Sequence, residues 1–356
     1  MKEPVESTDQ TAPGIRRRWL GKLFPGGTPK LWCPPLTHYD AEGAIDRRRI
    51  GAHLKSISPW VKGLLVPGST GDGWELTSGE SREVLEIALE ESRRLGLSVL
   101  AGALRPVASE AKSTITQTLA FLKKRAGVDS LDECLLNTHV CGFAVCPPRG
   151  RGMEQKEMGT ALSEILTLGI PTAVYQLPQI TENELSPELA ADLAERFGNF
   201  ILFKDTSGTD VVAKSGCDLR GVFMVRGAEG GYARHLKTGG GAYDGFLLST
   251  ANGFARELHQ ILTSQAAGRP EESNGLSDRL SALVDEIFRL VRDVPAGNAF
   301  ANAGKAADHF RAYGPKAAGV TPPRLHAGSS LPVEVIRATG DALSRYEMMP
   351  AKGYLE

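Results

Sequence analysis

No cysteine of this chain has a C-x-x-C partner. The five present (Cys33, Cys134, Cys141, Cys146 and Cys217) are odd in number and irregularly spaced, which argues against a disulfide framework or a zinc site. The seven histidines are scattered as well, with no H-x-x-x-H pair and no neighbouring carboxylate cluster, so no metal site is expected. Nothing approaches the ~18 consecutive apolar residues that a membrane span requires. The opening MKEPVESTDQTAPGIRRRWLGKLFPGG contains no apolar core of signal-peptide length. The formal net charge is -1, so no global basic field exists to hold nucleic acid or an anionic membrane. A G-x-G-x-x-G turn, the usual sequel to the first strand of a dinucleotide-binding sheet, is missing too. These absences point to a cytoplasmic protein with no metal, cofactor, nucleic-acid or membrane partner.

What the chain does have is glycine, 40 of 356 residues, against a usual share of about 7%. Such a surplus fits a long series of tight turns. Eight short apolar runs end in glycine, proline or small polar residues, at 31–37, 63–67, 98–102, 142–146, 171–175, 200–204, 222–226 and 242–248. Several are apolar at nearly every position (GLLVPG, SVLAGA, FILFK), as strands buried on both faces should be. Helical patterns lie between them. Thr77-Ser78-Gly79-Glu80 is a capping box, and Ser186-Pro187 supplies an N-cap followed by an N1 proline. The expected fold is therefore α/β, a (β/α)8 TIM barrel over 28–265. It is preceded by a flexible arm (1–27) and followed by a small C-terminal helical extension over 266–356, with helices at 276–291, 299–313 and 332–346. Residues 124–140 read as a polar, irregular insertion.

Active sites of such barrels lie at the C-terminal strand ends. There the chain places Gly68-Ser69-Thr70-Gly71-Asp72, Tyr175-Gln176-Leu177-Pro178, Lys204-Asp205-Thr206-Ser207-Gly208 and Arg226-Gly227-Ala228-Glu229-Gly230. Side chains alternate along a strand. If Lys204 points into the barrel, Leu202 lies beneath it and Phe203 faces the helices. Tyr175 and Ala173 can likewise face inward on the neighbouring strand, about 4.8 Å away. An apolar surround lowers a lysine pKa from about 10.4, and the neutral amine can condense with a ketone to an imine that stabilises an adjacent carbanion. A phenol beside it can shuttle the protons. Each signal alone is ordinary: a strand-end lysine is usually solvated, a tyrosine before a proline turn usually packs, and Ser-Thr-Gly-Asp is by default a turn. Their placement on one rim carries the argument.

At these residues the sequence resembles the dihydrodipicolinate synthase / N-acetylneuraminate lyase family of Schiff-base class I aldolases, over about 28–345. Pro35-Leu36-Thr37 through Ile45-Asp46 resembles the family's T-P-F…G…I-D. Gly68-Ser69-Thr70-Gly71-Asp72 resembles G-S/T-T-G-E, Tyr175-Gln176-Leu177-Pro178 resembles Y-N-x-P, and Lys204 to Gly208 resembles K-D/E-x-S/T-G. Tyrosine and lysine stand 29 residues apart, close to the family spacing. The resemblance implies that Lys204 forms the Schiff base with a 2-oxo acid, usually pyruvate or a pyruvate-yielding substrate, and that Tyr175 donates and accepts protons. Ser69, Thr70 and Gly71 would hold the substrate carboxylate, with Thr70 relaying a proton to Tyr175. Gly227 and Ser249 would meet the variable end of the substrate, where Glu229 is either a hydroxyl acceptor or an exposed loop carboxylate. A homotetramer or homodimer is implied as well.

Departures narrow the reading. Ile180 stands where dihydrodipicolinate synthases carry an arginine that grips a dicarboxylate, and an aliphatic residue cannot make that bidentate contact. Pro147-Pro148-Arg149 replaces the common P-Y-Y, with Arg149 or Arg151 as candidate anion contacts. No aromatic residue of the kind relatives contribute to a neighbouring subunit is found after strand three. The leading expectation is an imine-forming aldolase or dehydratase acting on a 2-oxo acid such as a 2-keto-3-deoxy sugar acid. The alternatives are 4-hydroxy-tetrahydrodipicolinate synthase proper, a non-catalytic small-acid-binding regulator, and a phosphate-binding barrel isomerase using Gly239-Gly240-Gly241.

Overall fold

The computed structural model describes residues 9–356. Its strands are β1 (Leu31–Cys33), β2 (Gly63–Val66), β3 (Ser98–Gly102), β4 (Val140–Val145), β5 (Thr172–Gln176), β6 (Phe200–Asp205), β7 (Phe223–Arg226) and β8 (Gly245–Leu247). They are all parallel and close in sequence order, β8 pairing with β1. The helices in chain order are α1 (Ala12–Leu23), α2 (Arg47–Ile57), α3 (Ser78–Leu95), α4 (Ala108–Ala126), α5 (Leu131–Thr138), α6 (Gln155–Leu166), α7 (Pro178–Thr181) and α8 (Pro187–Arg196). They continue with α9 (Val211–Lys214), α10 (Tyr232–His235), α11 (Ala251–Ala266), α12 (Pro270–Val291), α13 (Ala299–Tyr313) and α14 (Val333–Arg345). The fold is a TIM barrel with a helical C-terminal region.

Period-two alternation divides the core in two. Trp32, Leu65, Leu100, Ala144, Ala173, Tyr175, Leu202, Val225 and Leu247 fill the barrel interior. Their neighbours Cys33, Leu64, Val99, Phe143, Val174 and Phe203 pack outward with the helices. A register shift between β5 and β6 pairs Thr172 with Phe200 but Ala173 with Leu202. Leu202 and Lys204 therefore share the inward face, opposite Ala173 and Tyr175. Local chemistry supports the helix starts: Asp46 accepts from the Arg49 N–H, the Thr77–Glu80 capping box forms in full, and the Ser186 hydroxyl accepts from the Leu189 N–H.

Two expectations need correction. The arm expected to be flexible over 1–27 holds α1; residues 1–8 lie outside the described residues, but Thr11 caps the helix. Arg16 is buried and donates to the carbonyls of Phe200, Arg220 and Ala194, each at 2.6 Å, and of Phe197 at 2.8 Å. Trp19, Leu20, Leu23 and Phe24 pack against the interior cluster, with Phe24 edge-on to Trp32 at 5.9 Å. The segment's polar composition hides this, because its anchor is an arginine matched to carbonyls at the barrel's end. The second correction concerns 124–140, which is not irregular. The helix α4 runs to Ala126, Ser130 caps α5, Cys134 and Leu135 are buried, and β4 begins at Val140.

Candidate active site

The strands β5 and β6 bring Tyr175 and Lys204 into register as direct neighbours. Lys204 is 4% exposed and Tyr175 2% exposed. The amine lies 3.7 Å from the centre of the phenol ring. Burial pushes the Lys204 pKa down to about 7, against smaller opposing pulls from Cys146, Glu229 and Cys33. Removing an ammonium from water costs more than these neighbours return. Lys204 donates no hydrogen bond to the described residues; its amine lies over the ring face of Tyr175. Burial likewise raises the Tyr175 phenol and the Cys146 thiol, keeping both protonated at neutral pH.

Gly227 explains why the lysine fits. A Cβ there would stand 2.8 Å from Lys204 Cε and 2.2 Å from Thr206 Oγ1. The absence of a side chain at Gly227 leaves the gap that the Lys204 side chain and the Thr206 hydroxyl occupy.

The turn after β2 is a single 3-10 turn, Ser69–Gly71. Ser69 Oγ accepts from Trp74 Nε1 at 2.9 Å and lies 3.4 Å from the Tyr175 hydroxyl. No hydrogen bond joins Thr70 to Tyr175 among the described residues; the hydroxyls of Ser69 and Thr206 are those that act on the phenol. Thr70 is buried at the rim, its methyl facing Gly304 of α13. The Ser69 and Thr70 N–H groups are engaged by no protein acceptor among the described residues, whereas those of Gly71 and Asp72 close the turn onto Gly68 and Ser69. Two free donors beside the amine can grip an anionic oxygen.

On the β7–β8 side, Ser249 Oγ donates to Glu229 Oε1 at 2.6 Å. Thr250 adds its N–H at 3.1 Å and its hydroxyl at 2.7 Å, and Tyr232 its phenol at 3.1 Å. Glu229 is therefore a half-buried, oriented carboxylate and not a free loop side chain. Ile180 packs against the interior cluster at the mouth, as does Trp74. Arg149 forms a surface pair with Glu182 at 3.2 Å, 58% exposed, and Arg151 is exposed. Gly239 and Gly241 allow close passage against the backbone of Ala233 and His235, a packing use that leaves the phosphate-site reading without support.

Sequence reasoning missed a buried cluster. The histidines 38 and 53 and Asp308, scattered along the chain, offer ligand atoms within 4.8 Å of one another. His53 and Asp308 already have partners, whereas His38 Nε2 has none and stands 3.7 Å from Asp308 Oδ2. Asp308 accepts from His53 Nδ1 at 2.9 Å, Arg49 Nη2 at 2.7 Å and the Tyr354 hydroxyl at 2.9 Å. Burial alone would raise its pKa, but Arg49 and His53 outweigh burial and hold the carboxyl well below the usual range. A guanidinium in contact with the carboxylate makes the site a poor home for a further cation. The partner residues Trp74 and Thr250 were equally hidden, since only tertiary proximity distinguishes them from surface residues.

Residues 29–312 match the model of the Dihydrodipicolinate synthetase family. A 4-hydroxy-tetrahydrodipicolinate synthase of Agrobacterium fabrum is 26% identical over 269 residues, covering 75% of this chain and 83% of its own. One from Methanosarcina mazei is 24% identical over 296 residues, covering 81% and 91%. Among solved structures, an Escherichia coli K12 prophage protein of the dihydrodipicolinic acid synthase family, in complex with pyruvate, superposes with a TM-score of 0.68 at 19% identity, covering 89% of this chain and 98% of its own. That last likeness is one of fold; the family match spans most of the chain and includes every strand, Tyr175 and Lys204. The chain belongs to the dihydrodipicolinate synthetase family and is a lyase-type enzyme.

Proposed function

We propose that this protein is a Schiff-base lyase acting on a 2-oxo acid, with Lys204 as the amine. The observation that carries the reading is a buried lysine with pKa near neutrality, lying on the face of a buried phenol. The free N–H groups of Ser69 and Thr70 take the substrate's C1 carboxylate and thereby turn its ketone toward Lys204, an orientation gain of several kcal/mol in such reactions, of the order of ~7 in the best cases. The neutral amine attacks C2, and Tyr175, protonated at rest, supplies the proton that carries the C2 oxygen away as water. The resulting iminium accepts the electron pair released when C3 loses a proton or when the C3–C4 bond breaks. Ser69, between Trp74 and Tyr175, gives the phenol a route for proton exchange.

The distal half of the substrate meets Ile180 and the Glu229 carboxylate. A hydrophobic wall and a fixed negative charge disfavour a second carboxylate. A 2-keto-3-deoxy sugar acid fits this mouth better than a dicarboxylate. The second reading, 4-hydroxy-tetrahydrodipicolinate synthase, is supported by the names of the relatives at about one-quarter identity. Incubation with pyruvate and borohydride is expected to add one reduced pyruvate to Lys204, and Lys204→Ala to abolish the adduct. No adduct with any 2-oxo acid would leave the small-acid-binding regulator as the better account. Turnover of aspartate semialdehyde plus pyruvate in preference to 2-keto-3-deoxy acids would overturn the substrate assignment.

A further inference from the structure

The turn proposed to hold the carboxylate is itself held by a helix of the C-terminal region. Lys305 of α13 places its ammonium 3.1 Å from Asp72 Oδ2, with both side chains no more than 2% exposed. The Tyr39 hydroxyl donates to the same oxygen at 3.0 Å, and the ammonium lies 4.8 Å over the Tyr39 ring. Asp72 sits in the left-handed region at φ 61°, a conformation aspartate tolerates but does not prefer. Two turns earlier, at the N-cap of the same helix, Asn298 Nδ2 donates to the Ser69 carbonyl at 3.0 Å. The Thr37 hydroxyl holds the Gly71 carbonyl at 2.7 Å.

Peptide geometry turns these contacts into aim. The Ser69 carbonyl and the Thr70 N–H belong to one planar unit, so gripping the oxygen fixes the direction of the N–H. Asp72 closes the turn, its own N–H returning to Ser69 O. A Cβ at Gly304, beside Lys305, would come within 3.7 Å of the Thr70 methyl, so α13 lies directly behind the turn. None of these groups reaches the barrel interior where Lys204 and Tyr175 stand.

We propose that Lys305, acting through Asp72 and seconded by Asn298, is a positioning residue that aims the Ser69 and Thr70 N–H groups at the carboxylate of a 2-oxo acid. This inference rests on the imine reading above and assigns the C-terminal helix α13 a part in substrate recognition.

The test compares pyruvate with methyl pyruvate, an ester with the same ketone and no carboxylate charge. Borohydride trapping is followed against concentration of each for the wild type, Lys305→Met, the charge-neutral pair Asp72→Asn/Lys305→Met, and Asn298→Ser, which keeps an N-cap hydroxyl but cannot reach Ser69 O. The half-saturating pyruvate concentration is expected to rise about tenfold for Lys305→Met and for the pair, the loss of roughly one hydrogen bond to a charged group. It should rise about threefold for Asn298→Ser. The ester curve should stay within about twofold and the adduct at saturation should remain on Lys204. If Lys305→Met fails to fold, the neutral pair and Asn298→Ser carry the test. An unchanged pyruvate curve, or ester and acid curves moving together, overturns the inference while leaving the imine reading intact. Absence of any adduct on the wild type overturns the imine reading, and this inference with it.

Discussion

At the N-terminal end of the barrel Arg16 is 1% exposed and donates four hydrogen bonds to backbone carbonyls; at the C-terminal end Lys204 is 4% exposed and donates none to the described residues. Burial acts on both. It pushes the guanidinium down only to about 10 and the amine down to about 7. The first remains a cation at neutral pH, its charge shared among four carbonyl dipoles. The second is poised to lose its proton because the cost of burial exceeds what the ring face of Tyr175 and the pulls of Cys146, Glu229 and Cys33 return. One buried cation is held by four carbonyls and stays charged, with Glu195 and Asp218 opposing its burial; the other is brought near neutrality, as the amine of the proposed Schiff-base chemistry requires. A third, Lys305, is matched to a single carboxylate and serves the rim.

The contrast can be broken by substitution. The largest effect is expected at the reactive end: Tyr175→Phe keeps the ring under Lys204 but removes the hydroxyl, and turnover should fall by about 10²–10⁴-fold with an unchanged thermal midpoint. Near wild-type turnover would remove the phenol from the chemistry. At the opposite end, Arg16→Leu strands four carbonyls and should lower stability by about 2–4 kcal/mol, read as a drop in denaturation midpoint. Trapping at Lys204 in the protein that remains folded should be unaffected; a parallel loss of trapping would show that the two ends are coupled.

The smallest effect sharpens the comparison through pH. A lysine with depressed pKa carries its neutral form above that value, so the initial trapping rate with subsaturating pyruvate should rise with pH and level off above about 7. Below that point it should fall about tenfold per unit. A rate still climbing toward pH 10 would mean that Lys204 titrates as an exposed lysine.

Much of the barrel was legible because strands buried on both faces have few polar positions to hide in. The runs at 63–67 and 98–102 coincide with β2 and β3 to within a residue, and alternation alone tied Lys204 to Leu202 and Tyr175 to Ala173 on shared faces. The site's proposed reactive pair was legible for the same reason. Its supporting contacts were not. The helix α1 was concealed by its arginines, whose acceptors lie 178 to 204 residues away. Glu229 could be read two ways until Ser249, Thr250 and Tyr232 converged on it. Which hydroxyl of the 3-10 turn stands nearest the phenol was equally unreadable, because a one-residue difference within the turn decides it.

The amino-acid sequence by itself determined the parallel barrel, the order of its strands and the pairing of an amine with a phenol on one rim, since these depend on local periodicity and on neighbouring strands. Only the tertiary structure decided which charges survive burial, which carboxylate is oriented and which helix braces the turn. Those outcomes depend on partners such as Asp72 and Lys305, 233 positions apart, whose meeting leaves no trace in either local sequence. Electrostatics and hydrogen bonding act through space, and only the completed fold sets those distances.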